Sequence, residues 1–187
     1  MLTRVSLALL LGLLVTACDS IDLGESEIEL ARDPVVNQAL AAAREASAAY
    51  HDPDTAVADG FLATDACVSS PAGTMGFHYF NPGRVMDGAV SVEEPEVLVY
   101  HPGPDGPMLG AVEYFFPIVI DGAPWFGDEP PPADKTPAAP ILFRRAMNGP
   151  MAGHEPGMPW HYDLHAWVWS HNPDGMFADF NPALSCD

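Results

Sequence analysis

Basic residues are scarce in this chain: seven Lys and Arg stand against 26 Asp and Glu, a formal net charge of −19. A body this acidic repels phosphate backbones and anionic lipid head groups, which excludes nucleic-acid binding. Membrane-length apolar runs are missing too. The nearly continuous run Val5–Val15 falls short of the roughly 20 residues that a helix needs to span a bilayer. Familiar catalytic signatures are also absent: there is no Gly-x-Ser-x-Gly elbow, no phosphate-cradling glycine loop, no His-Glu-x-x-His and no dinucleotide fingerprint. A serine triad on Ser69 or Ser70 with a distant histidine has nothing to recommend it. Cysteine is rare, with three in the chain.

The first of these cysteines closes a leader. Met1–Arg4 is a short basic segment, Val5–Val15 holds six leucines, and Val15-Thr16-Ala17-Cys18 follows. This is the layout of a secretory signal, and its last four residues resemble the lipobox of bacterial lipoproteins. The expectation is a signal peptide over residues 1–17 and lipid on Cys18, which anchors an exported protein to a membrane on its periplasmic or extracellular face. The alternative is an ordinary signal peptide with a chance cysteine. Asp19 resembles the inner-membrane retention signal of proteobacterial lipoproteins. Residues 18–32, with Glu25, Glu27 and Glu29, read as an acidic tether, and residues 33–187 as a single globular domain.

Cys67 and Cys186 are left, an even number in an oxidising compartment, and are expected to pair. The competing reading, two metal-binding thiolates, lacks any CxxC or Cys-His spacing.

Asp33-Pro34 is an N-cap followed by proline at the first helical position. Val36, Leu40, Ala43, Ala46 and Tyr50 then make an apolar stripe, predicting a helix from about Pro34 to Tyr50. Asp52-Pro53-Asp54 starts a short second helix ending near Gly60. Beyond Cys67 the segments Gly76–Phe80, Val97–His101, Leu109–Ile120 and Tyr162–Trp169 are rich in β-branched and aromatic residues, with turn-forming pairs between them. Residues 127–140 read as a surface loop and 146–160 as a second irregular stretch. The fold class is α+β: an N-terminal helix or helix pair packed on an antiparallel sheet or small barrel.

Four of the seven histidines fall between His154 and His171, beside Trp160, Trp167 and Trp169. As a strand, Trp160–His171 puts His161, Asp163, His165, Trp167 and Trp169 on one face and Tyr162, Leu164, Ala166 and Val168 on the core side. His161 and His165 would lie about 13 Å apart along a straight strand, too far for one metal ion to join. Asp163 therefore pairs with one of them, and further donors must come from elsewhere: His78, Glu113, or His154 on the Met151–Met158 loop. Imidazole and carboxylate are ligand types for transition metals, Zn or Cu here. Met151, Met158 and Met176 suggest copper if they are ligands, and irregular gap filling if they are not. Packed histidines with satisfied nitrogens are the plain alternative.

Several blocks share a further likeness. Gly76-Phe77-His78-Tyr79-Phe80-Asn81-Pro82, Pro95-Glu96-Val97-Leu98-Val99-Tyr100 and Gly110-Ala111-Val112-Glu113-Tyr114 are three of them. His154-Glu155-Pro156-Gly157-Met158-Pro159, His161-Tyr162-Asp163-Leu164-His165-Ala166-Trp167 and Asn172-Pro173-Asp174-Gly175-Met176-Phe177, then Asn181-Pro182 before Cys186, are the others. Over roughly residues 35–187 they resemble a family of uncharacterised secreted bacterial proteins and lipoproteins. The resemblance implies a dedicated exported domain and brings no catalytic residues. Three classes stay open: a lipoprotein binding a small molecule or metal through the His/Trp face, a structural or interaction lipoprotein with that cluster as core, and a metal-dependent enzyme. If the anchor is real, Cys18→Ser should give unprocessed or soluble protein. A variant still processed and still with membranes after a salt wash would refute the lipid assignment.

Overall fold

In the computed structural model the described residues are 32–187, so the leader, Cys18 and nearly all of the tether lie outside them. Among the described residues no helix is long and apolar enough to cross a membrane. Helix α1 spans Pro34–Ser47; the Asp33 side chain accepts from the Val35 N–H, and proline occupies its first turn. Its buried residues, Val36, Leu40, Ala43 and Ser47, follow the spacing of one helical face. The helix ends a turn sooner than the apolar stripe suggests. Ser47 donates its hydroxyl to the Ala43 carbonyl, and the chain tightens into a 3-10 turn over Ala48–His51, as helix ends commonly do. Helix α2, Pro53–Ala58, is capped by Asp52.

The rest is mainly β. Strands β1 (Leu62–Ser70), β2 (Gly73–Phe80), β3 (Val97–Gly103), β4 (Gly106–Pro117), β9 (Asn148–Met151) and β10 (His161–Ala166) form one six-stranded sheet. Its order is β1-β2-β3-β4-β10-β9, and every pairing is antiparallel. Two short pairs, β5 (Val119–Ile120) with β6 (Ala123–Pro124) and β7 (Ile141–Leu142) with β8 (Arg145–Ala146), decorate the long β4–β10 connection. The molecule is therefore mostly antiparallel β with some helix.

Several expectations need correcting. β1 has no alternating signal, because it is an edge strand whose register slips twice against β2, and bulges break the period of two. The expected Leu109–Ile120 strand divides at Ile118, whose N–H leaves the ladder for the Trp160 carbonyl. Residues 146–160 are not wholly irregular, since β9 lies within them. β10 stops at Ala166, where the Val168 N–H turns back onto the Ala166 carbonyl, so the alternation does not reach Trp169. The 127–140 segment is a loop as expected.

The pleat divides the sheet's side chains. Leu98, Tyr100, Val112, Tyr114, Tyr162 and Leu164 share one buried cluster with Val36, Leu40, Ala43, Tyr50 and Phe61 from the helical segment. The Tyr100 hydroxyl donates to the Tyr50 carbonyl at 2.6 Å, and Trp169 Nε1 donates to Ser47 Oγ at 3.0 Å. The opposite face carries His78, Val97, Val99, Glu113, Phe115, His161, Asp163 and His165, as the strand registers require. Gly76 lets β2 approach closely, for a Cβ there would overlap the Tyr100 carbonyl and its φ of +122° suits glycine alone.

Cys67 and Cys186 form the expected disulfide, their Cα atoms 5.9 Å apart and 119 residues apart in sequence. It ties the C-terminal tail to β1. Asn181 holds the same tail by backbone exchange with Thr74. Cross-linking a loop this long restricts the unfolded chain, so Cys67→Ser/Cys186→Ser should lower the unfolding free energy by about 2–5 kcal/mol. Urea melts of oxidised wild type and variant measure this; coincident midpoints would show the bond to be dispensable.

Candidate metal centre

The register of β10 on β4 places His165 directly opposite Glu113, Asp163 opposite Phe115 and His161 opposite Pro117. On the other side of Glu113, β3 contributes Val97 and Val99, and β2 contributes His78 opposite Val99. His78 and Glu113 thus sit two strands apart, about 9.6 Å of backbone spacing, which their long side chains span across the smaller valines. Thr64 Oγ1 accepts from the His78 backbone N–H at 3.2 Å, steadying that strand.

Three donors meet. His78 Nε2 is 3.4 Å and His165 Nε2 3.6 Å from the same oxygen, Glu113 Oε2. One ligand atom from each of the three lies within 4.8 Å of the others. Charge-assisted hydrogen bonds from imidazole to carboxylate are shorter, at about 2.7–2.9 Å. Two ligands each about 2.0–2.1 Å from one ion in tetrahedral geometry lie about 3.3–3.4 Å apart. The two contacts to Glu113 are near that separation, and the ligand nitrogens of the two imidazoles lie within 4.8 Å of each other.

Protonation is also what a cation site needs. Burial pushes the His78 imidazole down to about 3, with nearby His165 and His154 acting in the same direction. Burial likewise holds His165 below its ordinary value. Glu113 is raised well above the carboxylate range by burial first, then by Asp163, Glu96 and Asp179. Two neutral imidazoles and a protonated carboxyl make no ion pair, but they become a ligand set when a cation displaces the one proton.

The remaining candidates form a second group. His161 Nε2 is 3.8 Å from Asp163 Oδ2, which settles which histidine neighbours that aspartate. His154, on the loop after β9, reaches His161 with ring centroids 5.5 Å apart and does not join the Glu113 cluster. Trp167 stays on this face, packed on Val99 and Ala111 away from the ligand cluster, and donates to the Ala178 carbonyl. Trp169 lies against His51 in the helical segment. The thioethers disperse as well. Met158 borders the cavity, whereas Met151 pairs in β9 and Met176 packs on the core.

A cavity of about 310 Å³ opens beside the cluster. Ala66, Val68, Phe80, Val97, Phe115 and Pro156 give it apolar walls, while His78, Glu113, His154, Glu155 and Thr64 form its polar part. Sequence reasoning overlooked the β1 walls and the Pro159 carbonyl, which lies 2.9 Å from His161 Nδ1. A proline two residues before a strand histidine was the available signal. It also overlooked Glu96, a third buried acid beside Glu113 and Asp163, pushed up to about 8 mainly by burial. No family model, curated protein or solved structure matches the chain.

The depressed His78 fixes a pH signature. The unfolded chain takes up this proton near pH 6.5 and the native state only near 3, so stability is lost as pH falls through that window. His78→Gln should remove up to about 5 kcal/mol of this acid sensitivity, at 1.36 kcal/mol per pKa unit. Denaturant melts between pH 7 and pH 3.5 are the measurement, and parallel stability profiles for wild type and variant would contradict it.

Proposed function

We propose that this chain is an exported, lipid-anchored domain that binds a transition metal, Zn²⁺ or Cu²⁺, through His78, Glu113 and His165. Small molecules would reach the ion through the adjoining cavity. The observation that carries the reading is where the unpaired polar atoms lie. Among the described residues, the buried side-chain atoms without a hydrogen-bond partner are Glu113 Oε2, His161 Nε2, Asp163 Oδ1 and both ring nitrogens of His165. All belong to one sheet face. Each such atom costs about 1–3 kcal/mol when left unpaired, and native proteins keep them few. A chain gains nothing in stability by collecting them on one sheet face. A cation bound there satisfies several at once.

The contrast with His101 makes the point. That buried histidine has partners for both nitrogens, the Pro102 carbonyl and Ser170 Oγ, each at 3.0 Å. It is what a structural histidine looks like here. The tryptophans, each with its indole N–H donated, belong with it. The core alternative therefore applies to the aromatic half of the sequence cluster and not to His165.

Two imidazoles and one carboxylate suit zinc and leave a fourth position open. Dispersed methionines speak against a thioether Cu(I) site. The Cys67–Cys186 bond is in keeping with an oxidising compartment, and the likeness to secreted bacterial proteins is retained as part of this proposal. So is the α+β reading with the helical arm on the sheet, supported by the shared buried cluster.

Chelator-stripped protein should gain about 2.7 kcal/mol when free Zn²⁺ or Cu²⁺ reaches a hundred times its dissociation constant. That corresponds to roughly 5–10 °C in thermal midpoint for a domain of this size. Glu113→Gln is the discriminating variant: it preserves the shape of the protonated side chain, so it should fold and lose most of the shift. His165→Ala should lose it too. Affinity in wild type should rise with pH while Glu113 still holds its proton. An unmoved wild-type midpoint with both metals would end the metal reading.

A further inference from the structure

The cavity beside the Glu113 cluster is polar at one end and apolar elsewhere, and that division describes the shape of a ligand. Its floor is sheet. Val97 lies directly opposite Glu113 on the neighbouring strand, and Phe115 is two residues along β4, so all three share one face. Val97 and Phe115 are buried. Phe80 from β2, Ala66 and Val68 from β1, and Met158 from the loop after β9 extend the apolar lining. Cys67, between the two β1 residues, is bonded to Cys186, which holds that wall in place. At about 310 Å³ the space is at the small end of ligand sites, which run to about 1,000 Å³. Allowing each heavy atom the share of about 30 Å³ that a water molecule takes in the liquid, it holds roughly ten.

The polar end sets the chemistry of the head group. His78 and Glu113 line the cavity, whereas the buried His165 does not. On the metal reading proposed above, on which this inference rests, an ion held by the three has His165 on its inner side. Its open fourth position then faces the cavity. Two neutral imidazoles and one carboxylate leave a divalent ion's ligand shell with one net positive charge, and a buried charge is costly unless it is paired. None of the described residues that line the cavity is Lys or Arg, and Glu155 adds an acid to the lining. The ion itself therefore supplies the positive charge that an acidic ligand needs. A monoanionic head cancels the excess charge, and the apolar walls favour an apolar body over water or a small inorganic anion.

We propose that the ligand of this centre is a small monocarboxylate with an apolar body, about ten heavy atoms in all. Its carboxylate completes the metal's coordination, and its body lies between Phe80, Phe115 and the β1 wall. Octanoate is of that size.

Isothermal titration calorimetry of the full-length protein with sodium acetate, butanoate, hexanoate and octanoate tests this, each run on zinc-loaded and on chelator-stripped protein. Bound zinc is counted by elemental analysis. On the loaded form, affinity should rise by up to about fourfold per added methylene, and stripping the metal should abolish octanoate binding. Ala66→Trp is the wall variant. Ala66 is exposed on the edge strand β1, so the larger ring is tolerated there and fills part of the cavity without touching a ligand residue. The variant should keep its zinc and its affinity for acetate while binding octanoate about tenfold more weakly, the worth of roughly two methylenes. Circular dichroism checks that it is folded. Three results with zinc fully bound would each overturn the carboxylate proposal and leave the metal centre standing: equal affinity for acetate and octanoate, octanoate binding that survives removal of the metal, and octanoate binding untouched by Ala66→Trp. No zinc bound by wild type would overturn the centre and this ligand with it.

Discussion

The pairing of β10 with β4 is the constraint on which the rest of this molecule depends. That ladder sets His165 against Glu113 and Asp163 against Phe115, and it fixes both faces of the sheet at once. A slip of one residue would turn the histidines toward the helical segment and bring Tyr162 and Leu164 out among the carboxylates. The register is held firmly because the opposite face is a dense apolar cluster, in which Leu164, Tyr114 and Val112 are fully or almost fully inaccessible to solvent. Hydrophobic burial on one side thus keeps polar donors buried on the other.

That arrangement is costly for an unloaded protein. Glu113 and His165 are inside, unpaired and held in their uncharged forms by desolvation. Desolvation favours a neutral acid and a neutral base equally well, so burial alone prepares a ligand set while suppressing an ion pair. A cation reverses only the carboxyl. On the proposed metal reading, the proton released would couple binding to pH, and the energy lost to unpaired atoms would be recovered on binding. The disulfide and Asn181 hold the tail against β1 and β2, where β1 also walls the cavity. Fold rigidity and site shape are therefore linked through the tail.

Much of this was legible in the residues. The capping aspartates, Asp33 and Asp52, each before a proline, placed the two N-terminal helices, and period-two alternation in β10 put His161, Asp163 and His165 on one face. The rise of about 13 Å between His161 and His165 separates them into two groups. Trp169 was misread because alternation holds only while the ladder lasts, and nothing local marks the turn at Ala166. β1 was invisible since an edge strand with register slips carries no period. Which external donor would meet His165 depended on strand order, and sequence alone does not say that β10 docks on β4.

The central claim concerns what lies around a metal ion in this protein, and X-ray absorption at the zinc edge reads that directly. For protein loaded with one equivalent of Zn²⁺, the account predicts nitrogen and oxygen ligands at about 2.0–2.1 Å. It also predicts outer-shell scattering from imidazole rings, diminished in His165→Ala. A spectrum of hydrated zinc without imidazole scattering, or with sulfur at about 2.3 Å, would contradict it.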